Sequence, residues 1–275
     1  MSLFVCPVCR APLKKEKDGC RCARRHCFDI SSKGYVHLLP ASKMHAKIPG
    51  DNKEMVRARS AFLNAGYYEP FAKKLSELAL ALVGDKKSPV ILDAGCGEGY
   101  YTACLHRFLL EHGVVPQTAG IDISKFAAAA AAKRCPDMEI AVASLFDIPV
   151  ADNSADLLVN VFAPIVESEF ARATKKGGSM VIAVPGKEHL FGLKEVLYEK
   201  PYENPVIKTE YPGFVFEKRE SVCDTVIIQG SEMIYNLFTM TPYFWKTPKE
   251  GSEKLKFLQE LTTPIRFDFL VYRRA

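Results

Sequence analysis

A buried strand that runs directly into a glycine-rich turn is the feature of the chain that says most about its chemistry. Residues 90–92 (Val-Ile-Leu) predict a strand covered on both faces, and Asp93-Ala-Gly-Cys-Gly-Glu-Gly99 follows it. Glycine lets a backbone turn tightly and approach a ligand where a Cβ would collide. Asp122 ends the next apolar run, where an acidic side chain accepts hydrogen bonds from both ribose hydroxyls of an adenosine. Together these residues predict a site for an adenosine-containing cofactor.

The spacing of the glycines distinguishes between two such cofactors. The dinucleotide fingerprint is G-x-G-x-x-G, whereas here Asp93 is followed by Gly95, Gly97 and Gly99 at intervals of two residues. This spacing resembles the first motif of class I methyltransferases, and the resemblance implies S-adenosylmethionine as the cofactor. The alternative is a glycine turn that only closes an ordinary βα unit, and the position of Asp122 argues against it.

The cysteines indicate a metal site at the N-terminus. Five of the nine cysteines lie within the first 27 residues, which in a cytosolic chain favours metal binding over disulfides. Their spacing gives C-x2-C-x12-C-x3-H, and the predicted ligands are Cys6, Cys9, Cys22 and His26. Three thiolates and one imidazole complete a tetrahedral zinc shell, so the predicted role of the metal is structural. Cys20 and Cys27 remain alternative ligands, and redox-active thiols remain an alternative to a metal.

The charge of the chain is concentrated in its N-terminal part. The net charge is +5, and residues 1–60 contain 13 of the 37 Lys and Arg but only 5 of the 32 Asp and Glu. Such a segment suits a polyanion such as RNA, although a merely solvated surface is the alternative on charge alone. No signal peptide and no apolar run of membrane-spanning length is evident in the sequence, so we expect a soluble cytoplasmic protein without a membrane partner.

The elements that must position these residues alternate between strand and helix. Residues 51–84 have helical periodicity, with Met55, Ala58, Arg59 and Phe62 on one face, and a turn at 64–70 interrupts them. From residue 89 the predicted elements are strands at 90–93, 118–122, 139–143, 155–162, 179–184 and 265–272, and helices at 98–112, 126–134 and 167–174. This alternation predicts a parallel sheet covered on both sides, with the last strand antiparallel.

These patterns predict a Rossmann-like class I S-adenosylmethionine-dependent methyltransferase, with a mostly parallel seven-stranded sheet and an N-terminal zinc-binding module. We expect residues 1–37 to form a zinc-binding RNA-recognition module. A helical linker that contributes to the cofactor pocket is predicted at 38–87, and the methyltransferase domain at 88–275.

A set of motifs in a fixed order connects the chain to one family. The motifs are the zinc knuckle, Gly34-Tyr-Val-His-Leu-Leu39, Ala65-Gly-Tyr-Tyr-Glu-Pro70, the glycine turn, Asn160-Val-Phe-Ala-Pro164, Pro185-Gly-Lys-Glu-His-Leu190 and Met240-Thr-Pro-Tyr-Phe-Trp245. With them the chain resembles, over nearly its whole length, the bacterial RlmA family of 23S ribosomal RNA guanine-N1 methyltransferases. The resemblance implies a homodimer whose cleft accepts an RNA hairpin, with no DNA partner.

The resemblance also implies roles for individual residues. It makes Cys6, Cys9, Cys22 and His26 the zinc ligands. It places in or beside the cofactor pocket Tyr68, Gly97, Glu98, Gly99, Tyr100 and His189. It also implies that Asp122 binds the ribose of the cofactor. Without it, Tyr68 would be interpreted as a packing aromatic and His189 as a surface residue. The chain mixes features of two branches that methylate neighbouring guanines of one hairpin, so both nucleotides remain candidates.

The segment after the fourth predicted strand is the candidate for contact with the target base. Guanine N1 carries a proton that must leave before or during attack, and the sequence identifies no base for it. Our hypothesis is that Phe162, between Asn160 and Pro164, stacks on an extruded guanine whose edge meets loop carbonyls or the Asn160 amide. The alternative is an aromatic residue that packs into the core. Competing functions are a methyltransferase for small quinone-like precursors and a non-catalytic RNA-binding protein.

Overall fold

The computed structural model describes residues 2–17, 19–44 and 49–275. Within them the strands are β1 Leu13–Lys15, β2 Gly19–Cys22, β3 Cys27–Asp29, β4 Val36–His37, β5 Val90–Ala94, β6 Gln117–Asp122, β7 Glu139–Val142, β8 Ala155–Val161, β9 Thr174–Pro185, β10 Phe214–Gln229 and β11 Glu260–Arg274. The α-helices are α1 Lys53–Asn64, α2 Glu69–Val83, α3 Tyr100–Glu111, α4 Lys125–Arg134, α5 Glu167–Ala173, α6 Phe191–Leu197, α7 Ser231–Thr239, α8 Tyr243–Lys246 and α9 Lys249–Glu253. Two 3-10 helices span Ala41–Lys43 and Lys254–Phe257.

A mixed sheet with the order β10-β11-β9-β8-β5-β6-β7-β4 forms the centre of the fold. Its inner strands β9, β8, β5, β6 and β7 pair in parallel, as does the short strand β4 with β7. Six of its eight strands are those located from the sequence, and the other two are the edge strand β10 and the two-residue strand β4. Because parallel strands end at one edge, the loops after β5, β6 and β8 meet there, which is where open α/β sheets bind ligands.

The antiparallel edge is longer than the sequence indicated. β11 pairs antiparallel with β9 on one side and with β10 on the other, which confirms the antiparallel direction predicted for residues 265–272. β10 is the edge strand, and most of its side chains are exposed. Its backbone is held almost entirely by its pairing with β11, which runs from Phe214–Arg274 to Gln229–Glu260.

The N-terminal segment forms a small antiparallel sheet, β1-β2-β3, that packs on the loop after β7. The Val5 N–H donates to the Pro149 carbonyl at 2.8 Å, and the Arg10 guanidinium donates to the Ile148 carbonyl at 3.1 Å. Apolar side chains of the segment, such as Leu13, belong to the same buried cluster as one face of the large sheet. The limits proposed for the three regions stay a prediction, and part of the expected loop before Pro49, residues 45–48, lies outside the described residues.

α2 packs on the other face of the sheet, against β8 and beside α3, and α1 packs against α7 and α4 on the same side. Asn52 caps α1, since its side-chain oxygen accepts a hydrogen bond from the Met55 N–H at 3.0 Å. α1 ends at Asn64 and α2 begins at Glu69, as the predicted turn required. Within the described residues, no helix combines the length and apolar character needed to cross a bilayer.

Candidate active site and metal centre

The glycine turn lies between β5 and α3, at the edge of the sheet where β6 and β8 also end. Gly95 and Gly99 have φ values of 95° and 80°, in the left-handed region that favours glycine. A Cβ at Gly95 would lie 2.4 Å from the Ala163 Cβ, and one at Gly99 would lie 2.8 Å from both Cα and Cβ of Ala131 in α4. The turn therefore needs glycine both for its backbone conformation and for its contact with the loop after β8 and with α4.

Asp122 is held beside this turn by the backbone. One carboxylate oxygen accepts from the Gly97 N–H at 2.9 Å, and the other accepts from the Ser124 N–H at 2.8 Å. Burial raises the pKa of Asp122, and these two hydrogen bonds oppose the increase. A carboxylate has about four acceptor positions, so each oxygen keeps a lone pair for a ribose hydroxyl. The structure thus brings together Asp122 and the glycine turn, as the sequence predicted.

Asp93 is buried near the end of β5, directly before the glycine turn. Its Oδ2 accepts from the Thr102 hydroxyl at 2.5 Å, whereas its buried Oδ1 has no hydrogen-bond partner among the described residues. Burial raises the pKa of Asp93 to about 7, and the neighbouring Asp122 carboxylate adds to the increase. A buried acceptor without a partner is costly unless a ligand supplies a donor. The ammonium group of S-adenosylmethionine is such a donor, so the residues present fit this cofactor.

Tyr68 and His189 form a buried hydrogen-bonded pair that joins α2 to the loop before α6. His189 Nε2 lies 3.3 Å from the Tyr68 hydroxyl oxygen, and His189 Nδ1 accepts from the Arg266 N–H at 3.2 Å. Burial lowers the pKa of His189 to about 3 and raises that of Tyr68. The neutral ring therefore carries its hydrogen on Nε2 and donates to Tyr68. The Tyr68 hydroxyl hydrogen is consequently left to donate to another group.

Phe162 follows β8 in an unusual backbone conformation. Its φ is 52°, and its side chain is 43% exposed. The ring lies 5.5 Å from that of Phe71 and 5.8 Å from that of Phe267, measured between centroids. The His189 ring lies 6.4 Å away with its plane inclined by 23°. Phe162 is therefore neither a core residue nor an isolated surface residue. One part of its ring packs on aromatic side chains, and the rest faces solvent beside the Tyr68–His189 pair.

Asn160 and Pro164 flank Phe162 with different environments. Asn160 is buried, and its amide nitrogen donates to the Ala94 carbonyl at 2.7 Å and to the Pro164 carbonyl at 3.4 Å. Because both amide hydrogens are used within the chain, we assign to Asn160 the role of joining the ends of β5 and β8. Pro164 is exposed. Of the three residues of the predicted target-base loop, Phe162 is therefore the one that offers a ring face.

The Glu98 carboxylate binds side chains of the helices that surround the glycine turn. Its side chain is 1% exposed, its carboxylate lies 2.5 Å from the Arg134 guanidinium, and it accepts from the Ser60 hydroxyl at 3.3 Å. The Arg134 guanidinium carbon lies 5.4 Å from the centroid of the half-buried Tyr100 ring. These contacts hold α1, α3 and α4 against the turn. The Glu98 carboxylate therefore supports the pocket through Arg134 and Ser60.

One charged residue at the glycine turn was not recognised as a site residue from the sequence. The Arg59 guanidinium would lie 3.6 Å from a Cβ at Gly97, it pairs with the Asp51 carboxylate at 2.5 Å, and it donates to the Met240 carbonyl at 3.1 Å. The Asp51 carbonyl in turn accepts from the Ser124 hydroxyl at 2.6 Å, directly after β6. The sequence contained a signal for this role, because an arginine on the apolar face of α1 requires a polar or charged partner.

The predicted metal ligands converge at the N-terminus. The Sγ atoms of Cys6, Cys9 and Cys22 and a ring nitrogen of His26 all lie within 4.8 Å of one another. The Cys9 and Cys22 sulfurs are 3.7 Å apart, and His26 Nδ1 is 3.4 Å from the sulfurs of both Cys6 and Cys22. A tetrahedral ion with Zn–S bonds of about 2.3 Å and a Zn–N bond of about 2.0 Å requires separations of roughly 3.5–3.8 Å. This donor set therefore fits a structural zinc ion.

The two other N-terminal cysteines do not belong to this group. Cys20 is buried, and Cys27 is exposed with its sulfur 3.4 Å from the Arg25 carbonyl. The cluster found among the described residues contains neither of them. The structure therefore favours Cys22 and His26 over these alternatives.

Comparison with known proteins gives the same two parts. Residues 4–47 match the family model described as "RlmA, N-terminal", a zinc ribbon, and residues 91–178 match a model described as "Methyltransferase domain". These matches include the predicted zinc ligands, the glycine turn and Asp122. They agree with a zinc module that is joined to an S-adenosylmethionine-dependent methyltransferase.

Three curated relatives have names that give one activity. A protein of Streptomyces fradiae, named "23S rRNA (guanine(748)-N(1))-methyltransferase", is 34% identical over 194 residues, which cover 70% of this chain and 66% of the relative. Relatives from Micromonospora griseorubida (35% identity, 70% of this chain and 68% of the relative) and Bacillus subtilis (28% identity, 98% and 96%) also have names that give guanine-N1 methylation of 23S rRNA. The chain therefore belongs to the RlmA family, whose named relatives are 23S rRNA (guanine-N1)-methyltransferases.

Proposed function

We propose that this protein transfers a methyl group from S-adenosylmethionine to N1 of a guanine in a hairpin of 23S ribosomal RNA. The observation that carries the proposal is the position of Phe162, a partly exposed aromatic in a strained conformation beside the cofactor turn. A small-molecule enzyme needs a closed apolar pocket. An enzyme that acts on an extruded base needs a ring on which the base stacks.

The cofactor assignments follow from the contacts described above. Asp122 receives the ribose hydroxyls, the free Oδ1 of Asp93 receives the ammonium group, and the Tyr68 hydroxyl acts as a donor that His189 holds in place. Gly95 and Gly99 permit the tight turn of the backbone at this site, and Tyr100 begins α3 directly after it. When bound, the cofactor supplies the electrophilic methyl group.

The residues of the chain mainly position the acceptor. Attack on the methyl group requires the guanine N1 about 3–3.5 Å away and in line with the departing sulfur. The N1 proton does not pass to His189, because its Nδ1 is occupied and its Nε2 already carries a hydrogen. It does not pass to Tyr68 either, since burial raises the pKa of that hydroxyl. We therefore assign to this pair the placement of reactants and not the role of general base.

The zinc module is the part of the chain that we propose binds the phosphates of the RNA. Its exposed basic residues include Lys14, Lys15, Lys17, Arg21, Arg24 and Arg25. Each phosphate that these residues neutralise contributes roughly −0.7 to −0.9 to the slope of log K against log salt concentration. We also propose a homodimer with a cleft for the hairpin, as the resemblance to the family implies. We propose a cytoplasmic location, because ribosomal RNA is the substrate.

The test is methylation of unmodified large-subunit RNA with labelled cofactor, followed by mapping of reverse-transcription stops, because an N1-methylated guanine cannot pair. One stop at a hairpin guanine is the expected result. Phe162→Ala should lower kcat/KM for the RNA about 5- to 150-fold, the range for loss of one base–aromatic stack, with an unchanged Kd for S-adenosylmethionine. Phe216→Ala is the matched control, since Phe216 is 39% exposed on the edge strand β10.

Three other outcomes would contradict the proposal. Cofactor binding without methylation of the RNA would favour a small-molecule substrate. RNA binding without cofactor binding would favour a non-catalytic protein. Equal activity of the Phe162→Ala variant and the wild type would remove the role proposed for the exposed ring.

A further inference from the structure

The segment from Tyr243 to Phe257 presents two large aromatic side chains to solvent. Trp245 is 67% exposed and Phe257 is 83% exposed, although each would bury considerable apolar area if it packed. The same segment has four exposed lysines, Lys246, Lys249, Lys254 and Lys256, and only two acidic residues. Residues 61–275 as a whole are slightly acidic, since they contain 24 Lys and Arg and 27 Asp and Glu.

The exposure of these rings does not result from a loosely attached segment. Tyr243 and Leu255 are buried against the core, and a Cβ at Gly251 would lie 2.4 Å from the Leu197 carbonyl oxygen at the end of α6. The Thr247 hydroxyl lies 3.0 Å from the Tyr198 hydroxyl. Pro242 and Pro248 precede α8 and α9 and restrict the backbone at both points. The backbone is thus fixed while Trp245 and Phe257 point outwards.

The segment begins at the cofactor pocket. The Met240 carbonyl accepts the hydrogen bond from Arg59, whose guanidinium lies beside the glycine turn. Five residues of extended chain reach at most about 18 Å, so Trp245 lies within that distance of Met240. A strand of nucleic acid that flanks a base in the pocket is therefore within reach of Trp245.

We propose that Trp245, Phe257 and the surrounding lysines form a second RNA-binding surface, on which unpaired bases of the substrate stack beside the methylation site. Exposed aromatics among lysines suit single-stranded nucleic acid, because every base offers a ring face and every nucleotide a phosphate. None of the four lysines forms an ion pair with a carboxylate of the described residues, so their charges are available to phosphates. This inference rests on the proposed RNA substrate.

The single tryptophan of the chain makes the test direct. Its fluorescence reports on Trp245 alone, so a base that stacks on the ring quenches the emission without any label. We expect quenching by the 23S hairpin in the intact protein. We expect no quenching by a fully paired RNA duplex with the same number of phosphates, whose bases are stacked on one another.

Substitutions separate stacking from charge. Trp245→Ala should weaken the Kd for the hairpin about 5- to 150-fold, the range for one stacked base, while Trp245→Phe stays within about threefold of the wild type. The KM for S-adenosylmethionine should not change in either variant. Val115→Ala is the control for loss of an exposed apolar side chain, because Val115 is 62% exposed. It lies directly before β6, at the amino ends of the parallel strands and therefore away from the edge that carries the glycine turn.

Three results would overturn the inference. The first is unchanged fluorescence with a hairpin that the protein methylates, and the second is a wild-type Kd for Trp245→Ala. The third is an emission change that depends on protein concentration without RNA, which would identify the surface as a contact between two copies of the chain. Each of these leaves the proposed function intact if methylation proceeds. A wild-type protein that neither binds nor methylates the RNA would overturn both proposals.

Discussion

Two buried titratable side chains of the candidate active site have pKa values shifted in opposite directions. Burial raises the pKa of Asp93 to about 7, and burial lowers the pKa of His189 to about 3. We predict that their effects on the free energy of unfolding nearly cancel in the wild type between about pH 4 and pH 6.5. Replacing either residue should expose the pH dependence that the other one causes.

The signs follow from which state binds the proton. Below its ordinary pKa of 6.5, His189 is protonated in the unfolded chain but stays neutral in the folded one down to about pH 3. Its contribution to stability is therefore complete above pH 6.5 and is lost as the pH falls towards 3. Asp93 is protonated in the folded chain below about pH 7 but in the unfolded chain only below 3.8. Its presence therefore favours the folded state increasingly as the pH falls from 7 to 3.8.

The magnitude is the same for both groups. Where only one state is protonated, one group changes the free energy of unfolding by about 1.4 kcal/mol per pH unit. The two windows overlap from about pH 4 to pH 6.5. Each group therefore contributes on the order of 3 kcal/mol across the overlap, with opposite signs. This change is a large fraction of the roughly 5–15 kcal/mol by which folded domains are stable.

The assay is urea unfolding of the wild type, His189→Gln and Asp93→Asn without cofactor, at several values between pH 4.5 and pH 7.5. Subtracting each variant from the wild type removes the groups that both proteins share. The His189→Gln difference should increase by about 1.4 kcal/mol per unit up to pH 6.5 and then level off, whereas the Asp93→Asn difference should decrease up to about pH 7. Two flat difference curves, or two curves with the same slope, would refute the reasoning.

Two further predictions concern the metal and the glycine turn. Removing zinc with a chelator should unfold the N-terminal module, since zinc supplies roughly 10–16 kcal/mol to such modules. RNA binding should weaken strongly, while calorimetry still detects S-adenosylmethionine binding. Full RNA affinity without zinc would contradict this prediction. Gly99→Ala should destabilise the protein by more than Gly113→Ala in thermal unfolding. Both have positive φ and cost about 1–2 kcal/mol in the backbone, but only a Cβ at Gly99 meets another residue, Ala131, while one at Gly113 meets nothing within 4 Å. Equal losses would show that α4 moves away freely.

The sequence predicted the parallel core of the sheet because its strands are continuous apolar runs between turns. β5 and β6 lie within one residue of their predicted limits. The edge strand β10 was missed because its side chains are mostly exposed and include charged residues such as Glu217 and Lys218, so it has no apolar alternation. It exists because β11 offers a complete set of backbone partners. Such a strand is defined by its pairing with a distant segment, so its own sequence has no hydrophobic pattern that would predict it.

The site was predictable where a residue type has one chemical use. Cysteine spacing gave the metal cluster, and glycine spacing with an acidic strand end gave the cofactor turn. The pairing of Tyr68 with His189 joins residues 121 positions apart, and periodicity carries no information about it. The partners of Arg59 and the burial of Glu98 were likewise decided by packing of helices against the turn, which a single sequence does not specify.

Phe162 shows why an exposed, strained aromatic is better explained by a ligand than by packing. A left-handed φ costs a residue other than glycine about 1–3 kcal/mol, and exposure forgoes part of the stabilisation that a buried phenylalanine provides. A strand end that served the core would remove both costs by turning the ring inwards. Instead, the Phe162 N–H donates to the Ala183 carbonyl at 3.1 Å and keeps the residue in place, and Ala163 packs where Gly95 has no Cβ. The fold thus fixes a partly solvent-facing ring next to the cofactor turn, and a base stacked on that ring would cover the surface that the core leaves open.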